Sequence, residues 1–304
     1  MPTFEAEADL ACRLAFQAGA LILRHRRSNL EVEMKPGNEP VTIADRKASR
    51  IIVEGLGAAF PGDAIVSEEE PADLDRLAAS ERAWFVDPLD GTREFVRGLD
   101  TFSVMIGLSS NGRPQLGVVY QPSRERLYVA VAGTPAVRID RGERRELRCS
   151  SVSEPALARL VVSETDRRPE IDGLKRRMGI CDETASGSVG LKLGLIAAGE
   201  RDLYVNPTGN AKAWDTCAGT ALLESAGGRI TDLDGRDLCY RGPDLWHRRG
   251  ILASANDRIH EAALRSVEGL WSTRTSLPST PDGRSTGQPG PATGIGSAIR
   301  AEDR

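Results

Sequence analysis

Histidine is scarce in this chain, with three residues in 304, and with no CxxC pair beside them no zinc-finger or zinc-hydrolase ligand spacing can be built. Cysteine is nearly as uninformative. Cys12, Cys149, Cys181, Cys217 and Cys239 are scattered without a CxxC pair, so they read as reduced, structural thiols. Long apolar runs are missing too: nowhere does the chain offer the ~18 uncharged apolar residues that a membrane span requires. The N-terminus, MPTFEAEADLACRLAFQAG, lacks a basic region followed by an apolar stretch, so no secretory leader is expected. There is no basic surplus either. Lys and Arg total 40 against 44 Asp and Glu, a net charge of -4, which argues against phosphate-backbone binding. These absences leave a cytoplasmic protein whose partners are small molecules, with no nucleic acid and no membrane.

What is present suits a folded enzyme, since 40% hydrophobic residues can fill a substantial core. Leu10, Leu14, Ala18, Leu21 and Ile22 recur at helical spacing and predict an amphipathic helix over 5 to 27. A second helix is expected from Thr42 through Ile51, Ile52 and Leu56 to the Pro61-Gly62 breaker. Gly55, Gly57 and Phe60 imitate the start of a dinucleotide fingerprint, but they lie inside that helical pattern with no strand before them. Apolar runs at 64 to 67, 83 to 86, 102 to 108, 116 to 120 and 127 to 132 read as strands. Turns such as Asn111-Gly112 favour antiparallel hairpins among them. The stretch 70 to 82 reads as an acidic loop and 140 to 155 as a polar segment.

A second alternation follows, with strands at 160 to 163, 202 to 205, 229 to 231 and 250 to 254. Helices are expected near 170 to 178, 189 to 198, 214 to 226 and 256 to 269. The expected organisation is an α+β part over 1–150, an α/β part over 151–272, and a disordered tail over 273–304. That last segment is rich in Ser, Thr, Pro and Gly and cannot bury enough apolar surface to offset its ordering entropy.

The strongest chemical signal is Trp84-Phe85-Val86-Asp87-Pro88-Leu89-Asp90-Gly91-Thr92, an apolar strand ending in two carboxylates. Pro88 restricts one backbone angle and Gly91 permits a turn, so both carboxylates and the Leu89 carbonyl can face one point, as hard cations require. An isolated acidic pair can equally be a solvated turn or a helix cap. Further oxygens are available in Ser67-Glu68-Glu69-Glu70 and in Asp215, at the start of another predicted helix. Backbone N–H groups after Asp90 would receive a phosphate oxygen.

With Thr42-Ile43-Ala44-Asp45, the Glu68-Glu69 pair, Asp87 to Thr92 and Trp214-Asp215-Thr216-Cys217-Ala218-Gly219 in this order, the chain resembles the lithium-sensitive, metal-dependent phosphatases. That family includes inositol monophosphatase and the 3'(2'),5'-bisphosphate nucleotidases, and the resemblance spans roughly residues 5 to 270. It implies a layered αβαβα sandwich and Mg²⁺ as cofactor, in two or three ions. One ion would be held by Glu68, Asp87 and the Leu89 carbonyl, and a second by Asp87, Asp90 and Asp215. Thr92, with Asp45 hydrogen-bonded to it, would help activate water, and Glu69 would support the ligands. Gly91 and Thr92 would bind phosphate through their N–H groups. The family also implies a homodimer and lithium inhibition.

Thr92-Arg93-Glu94-Phe95 is similar to the run in bacterial bisphosphate nucleotidases, and Gly187-Ser188-Val189-Gly190-Leu191-Lys192 resembles their serine and lysine segment. By that resemblance Arg93, Ser188 and Lys192 would be substrate contacts, as would Asp215. Arg93 and Lys192 can equally be ordinary solvated charges. Gly190 departs from the serine common in those relatives. Removal of the 3'-phosphate from adenosine 3',5'-bisphosphate is therefore the leading expectation. An inositol-1-monophosphatase or related sugar-phosphate phosphatase is second, and an inactive metal- or anion-binding relative is the non-enzymatic alternative.

Overall fold

The computed structural model describes residues 4–27, 32–35, 39–242 and 244–270, all within one compact unit. Helix α1 (Glu5–Arg26) buries Ala11, Leu14, Ala15, Ala18 and Ile22 along one face. A hairpin of β1 (Val32–Lys35) and β2 (Glu39–Thr42) leads into α2 (Ile43–Ala59). Thr42 starts α2 because its hydroxyl accepts from Ala44 N–H at 3.1 Å while its own N–H donates to Asp45 at 2.9 Å, satisfying groups that a first turn otherwise leaves open.

A seven-stranded sheet follows in the order β3 (Ala64–Ser67), β4 (Arg82–Asp90), β5 (Ser103–Ser110), β6 (Arg113–Gln121), β7 (Arg126–Val131), β8 (Val137–Asp140) and β9 (Glu143–Glu146). Only β3 and β4 pair in parallel; the other neighbours are antiparallel. The short helices α3 (Leu74–Ala79) and α4 (Thr92–Val96) flank β4. The α1–α2 pair packs on one face of this sheet over Trp84, Val86, Val104, Ile106 and Val118.

The second half contributes β10 (Leu160–Ser163), α5 (Ile171–Met178), β11 (Glu183–Ser186), α6 (Val189–Ala197), β12 (Leu203–Asn206), α7 (Ala213–Ser225), β13 (Arg229–Thr231), β14 (Ile251–Ser254) and α8 (Asp257–Val267). Its strands form a five-stranded sheet ordered β11-β10-β12-β14-β13. α6 and α7 lie between the sheets, touching the first through Met105, Val119 and Tyr128 and the second through Val161, Tyr204 and Ile230. α5 and α8 cover the outer face of the second sheet. The result is the αβαβα sandwich, in which helices from beyond residue 150 cover strands from before it.

Some elements depart from the sequence pattern. The stretch 140 to 155 begins with the charged edge strand β9, all of whose residues are exposed, so no period-2 burial marks it. The 70 to 82 loop contains α3, capped by Asp73 accepting from Arg76 N–H at 2.9 Å and anchored by buried Leu77. The β3–β4 pair is parallel, joined across the 70 to 82 stretch, whereas Asn111-Gly112 joins the antiparallel β5 and β6. The 273–304 segment lies outside the described residues.

α7 sits unusually close to β6. A Cβ on Gly117 would fall 2.1 Å from the Ala218 carbonyl oxygen, so only glycine permits this approach. Gly117→Ala should therefore destabilise the protein by roughly 1–3 kcal/mol through overpacking, read as a lower urea midpoint. An unchanged midpoint would contradict the contact.

Candidate active site

β4 and β5 lose their simple register between Asp87 and Asp90, where Pro88 has no N–H to give the ladder. The irregularity lets both aspartates of one strand end face a common cavity of 190 Å³. Asp87 is further set by Leu89 N–H, which donates to its Oδ1 at 3.0 Å. Parallel pairing of Ser67 with Val86 brings Glu68 beside that strand end, and Glu68 N–H donates to the Val86 carbonyl at 3.1 Å. Asp215 arrives from a third direction, in the first turn of α7, where its Oδ2 accepts from Lys212 N–H at 2.7 Å. Ligand oxygens of Glu68, Asp87 and Asp215 thus lie within 4.8 Å of one another. Asp90, Leu89, Gly91 and Thr92 line the same cavity.

Such crowding is unfavourable for charged carboxylates. Burial pushes the Asp87 carboxyl well above its usual range, and the charges of Glu68, Asp90 and Asp215 push it further. Asp215 is raised well above the usual value in the same way, by burial first and then by Glu68 and Asp90. Asp90 rises to about 6 through burial, against the opposing influence of Lys192, Ser188 and Gly190 N–H. An all-oxygen donor set with this much mutual repulsion fits a hard divalent cation, whose charge would cancel the repulsion.

Beside the carboxylates stands a hydroxyl–carboxylate pair. Thr92 Oγ1 lies 3.0 Å from Asp45 Oδ1 and 2.9 Å from the Leu89 carbonyl, two acceptors for its one proton. Asp45 Oδ2 accepts from both Thr42 N–H and Thr42 Oγ1, so the helix cap of α2 also aims Asp45 Oδ1 at Thr92. Burial raises the Asp45 pKa. Gly91, in the left-handed region at φ 93°, turns the chain so that α4 begins against the cavity.

The residues expected as substrate contacts separate into two groups. Arg93 is exposed and lines the cavity, as Asp215 does. Ser188 and Lys192 do not line it; both are buried behind Asp90. Ser188 Oγ donates to Asp90 Oδ2 at 2.6 Å and accepts from Leu191 N–H at 3.0 Å. Lys192 Nζ is turned to the Ser186 and Gly187 carbonyls. Their placement has a plain cause: α6 is packed between the two sheets, so a lysine one turn into it has no open face. Gly190 is explained too, because its N–H donates to Asp90 Oδ2 at 3.0 Å and a Cβ there would fall 2.7 Å from Met105 Sδ. Glu69 is half-buried in the turn after β3.

The cavity wall includes residues that sequence reasoning passed over. Glu94 is buried and accepts from Thr165 Oγ1 at 2.7 Å. Lys212 also lines the cavity, its Nζ 5.1 Å from the Trp214 ring centroid and 4.7 Å from that of Trp246. The Lys212 signal was available as a cation three residues before Asp215. Trp246 is distant in sequence and could not have been joined to it.

The layered fold and the oxygen-lined site define a phosphatase of a metal-dependent class. The inositol monophosphatase family model matches residues 5–272, and the chain belongs to that family. It is 35% identical over 248 residues to the 3'(2'),5'-bisphosphate nucleotidase CysQ of Escherichia coli K12, covering 81% of this chain and 98% of that protein. It is 33% identical over 264 residues to the Nus factor SuhB of Pasteurella multocida, covering 86% of this chain and 95% of the relative. The solved inositol monophosphatase of Anabaena superposes with a TM-score of 0.71 at 29% identity, over 87% of this chain and 96% of that one.

Cation binding should stabilise the fold in a pH-dependent way. Asp90 has a folded pKa of about 6 against an ordinary 3.8, so its contribution is present below 3.8 and is lost as pH rises through about 6. His247 and His260, lowered to about 4 by burial, act oppositely, their contribution being lost as pH falls through about 4. The difference between cation-loaded and cation-free protein isolates the carboxylates. At roughly a hundredfold excess over Kd, a divalent cation should raise the melting temperature by about 5–10 °C at pH 7.5 and by clearly less at pH 5. An equal shift at both pH values would separate binding from these carboxylates.

Proposed function

We propose that the protein is a Mg²⁺-dependent phosphate monoester hydrolase that removes the 3'-phosphate of adenosine 3',5'-bisphosphate. The observation that carries the reaction type is the meeting of Glu68, Asp87 and Asp215 from three elements beside the Thr92–Asp45 pair. The substrate rests on the 35% identity to a named bisphosphate nucleotidase over 98% of its length, together with the cationic Arg93 and Lys212 at the cavity. Glu68, Asp87 and the Leu89 carbonyl would hold one ion, and Asp87, Asp90 and Asp215 another.

When bound, such ions polarise phosphoryl oxygens and lower the pKa of water from about 15.7 toward 7. The chain's own groups supply the rest. Thr92 Oγ1 can pass its proton to Asp45 Oδ1 while accepting one from an attacking water, and burial of Asp45 makes its carboxylate a better acceptor. The Gly91 and Thr92 N–H groups, where α4 begins at the cavity, would bind the oxygens of the phosphate under attack. Arg93 and Lys212 would meet the remaining negative charge of the nucleotide. No serine, cysteine or histidine is among the described residues lining the cavity, so direct transfer to water is the supported route. Glu69 would buttress the Glu68 turn.

Hydrolysis of an inositol phosphate is the second reading, favoured by the superposition on a solved inositol monophosphatase. Among the described residues, no helix is long and apolar enough to cross a membrane. With the proposed activity go the homodimer that the family resemblance implies and the cytoplasmic setting read from the sequence, tested by light scattering and cell fractionation.

Phosphate release with Mg²⁺ from adenosine 3',5'-bisphosphate and myo-inositol 1-phosphate, side by side, decides the substrate. Preference for the nucleotide, abolished by Asp90→Asn, is expected; preference for the inositol ester would replace the first reading with the second. Thr92→Ala should lower kcat by roughly 10²–10⁴-fold with KM little changed. A variant that keeps full kcat would remove Thr92 from the proton path.

A further inference from the structure

Among the described residues Lys192 is the one lysine or arginine in the buried class, at 1% exposure. An ammonium in that position is unfavourable unless its donors and its charge are both answered. Its Nζ donates to the Ser186 carbonyl at 3.2 Å and to the Gly187 carbonyl, and it stands 5.1 Å from the Tyr204 ring centroid. Negative charge surrounds it on Asp90, Glu94, Glu164 and Asp215.

The two carbonyls belong to the turn between β11 and α6, immediately before Ser188. From that turn Ser188 N–H donates to the Thr101 carbonyl at 2.9 Å, and Ser103 and Ser188 share a hydrogen bond of 2.8 Å. Ser188 Oγ and Gly190 N–H then both donate to the same atom, Asp90 Oδ2, at 2.6 and 3.0 Å. Two donors on Oδ2 leave Oδ1 for the cavity that Asp90 lines.

We infer that Lys192 is a positioning residue: by tying the Ser186 and Gly187 carbonyls across the start of α6, it sets Ser188 and Gly190 against Asp90 and so aims Asp90 Oδ1 at the cation site. The inference rests on the proposed role of Asp90 as a metal ligand. It assigns Lys192, which is not among the residues lining the cavity, to the cation side of the reaction.

Calorimetric titration with Mg²⁺ alone, on wild type and Lys192→Met, reads this without turnover. A loss of roughly 10–100-fold in Mg²⁺ affinity is expected, the range typical of partners that orient ligands, with KM for adenosine 3',5'-bisphosphate within about twofold at saturating Mg²⁺. Ser188→Ala combined with Lys192→Met should cost less than the product of the single effects, since both act through one oxygen. Unchanged Mg²⁺ affinity with a KM raised tenfold or more would overturn the proposal and make Lys192 a substrate contact. Acetic anhydride labelling of the wild-type protein needs no variant to fold. Lys192 should be protected without metal or substrate; labelling at the rate of surface lysines, blocked only by substrate, would also overturn the proposal. If wild type hydrolyses neither ester, the proposed function fails while the Mg²⁺ titration still reads the role of Lys192.

Discussion

Mutual repulsion among Glu68, Asp87 and Asp215, with ligand oxygens inside 4.8 Å of one another, is the constraint around which the rest of the molecule is arranged. Free carboxylates would swing apart or leave for water. Here each is fixed by backbone made elsewhere: Asp87 by Leu89 N–H at a register break, Asp215 by the N–H of Lys212 in a helix cap, and Glu68 by its own N–H on the Val86 carbonyl. The two sheets and the helices between them keep those backbones still. A cation would convert the strained arrangement into a satisfied one, which couples ligand binding to folding stability.

Layering explains how the three segments meet. The parallel β3–β4 pair sets Glu68 and Asp87 at adjacent strand ends. α7 reaches them because Gly117 lets it lie almost on the backbone of β6. From the same layer α6 supplies the hydroxyl and the N–H that hold Asp90, and the buried ammonium of Lys192 donates to the Ser186 carbonyl just before them. Catalytic geometry and core packing are therefore one structure in this region. A change of volume at the centre of the sandwich is transmitted to the carboxylates.

The Thr92–Asp45 pair, to which the proposed proton path is assigned, rests on a different support from this cluster. Asp45 receives two hydrogen bonds from Thr42 on one oxygen, and its other oxygen meets Thr92. The cap that starts α2 is thus also the element that orients the acceptor. One local sequence pattern, a threonine followed three residues later by an aspartate, serves folding and chemistry together.

The local patterns determined a great deal on their own. α1, α2, α5, α6, α7 and α8 follow from apolar spacing, caps and breakers, and the acids at 68, 87, 90 and 215 stand out at the ends of apolar elements, whereas Asp45 came only with the family resemblance. Such signals are short-range: they report period, turn chemistry and residue type. They miss the charged strand β9 and the polar strand β11, whose stability comes from pairing and not from composition. They also cannot say which way a helix faces. Whether Lys192 is exposed or buried depends on what packs against α6, and only the stacking of two sheets around that helix buries it. Burial, register and partner choice come from contacts between residues far apart in the chain, and no window along it contains them.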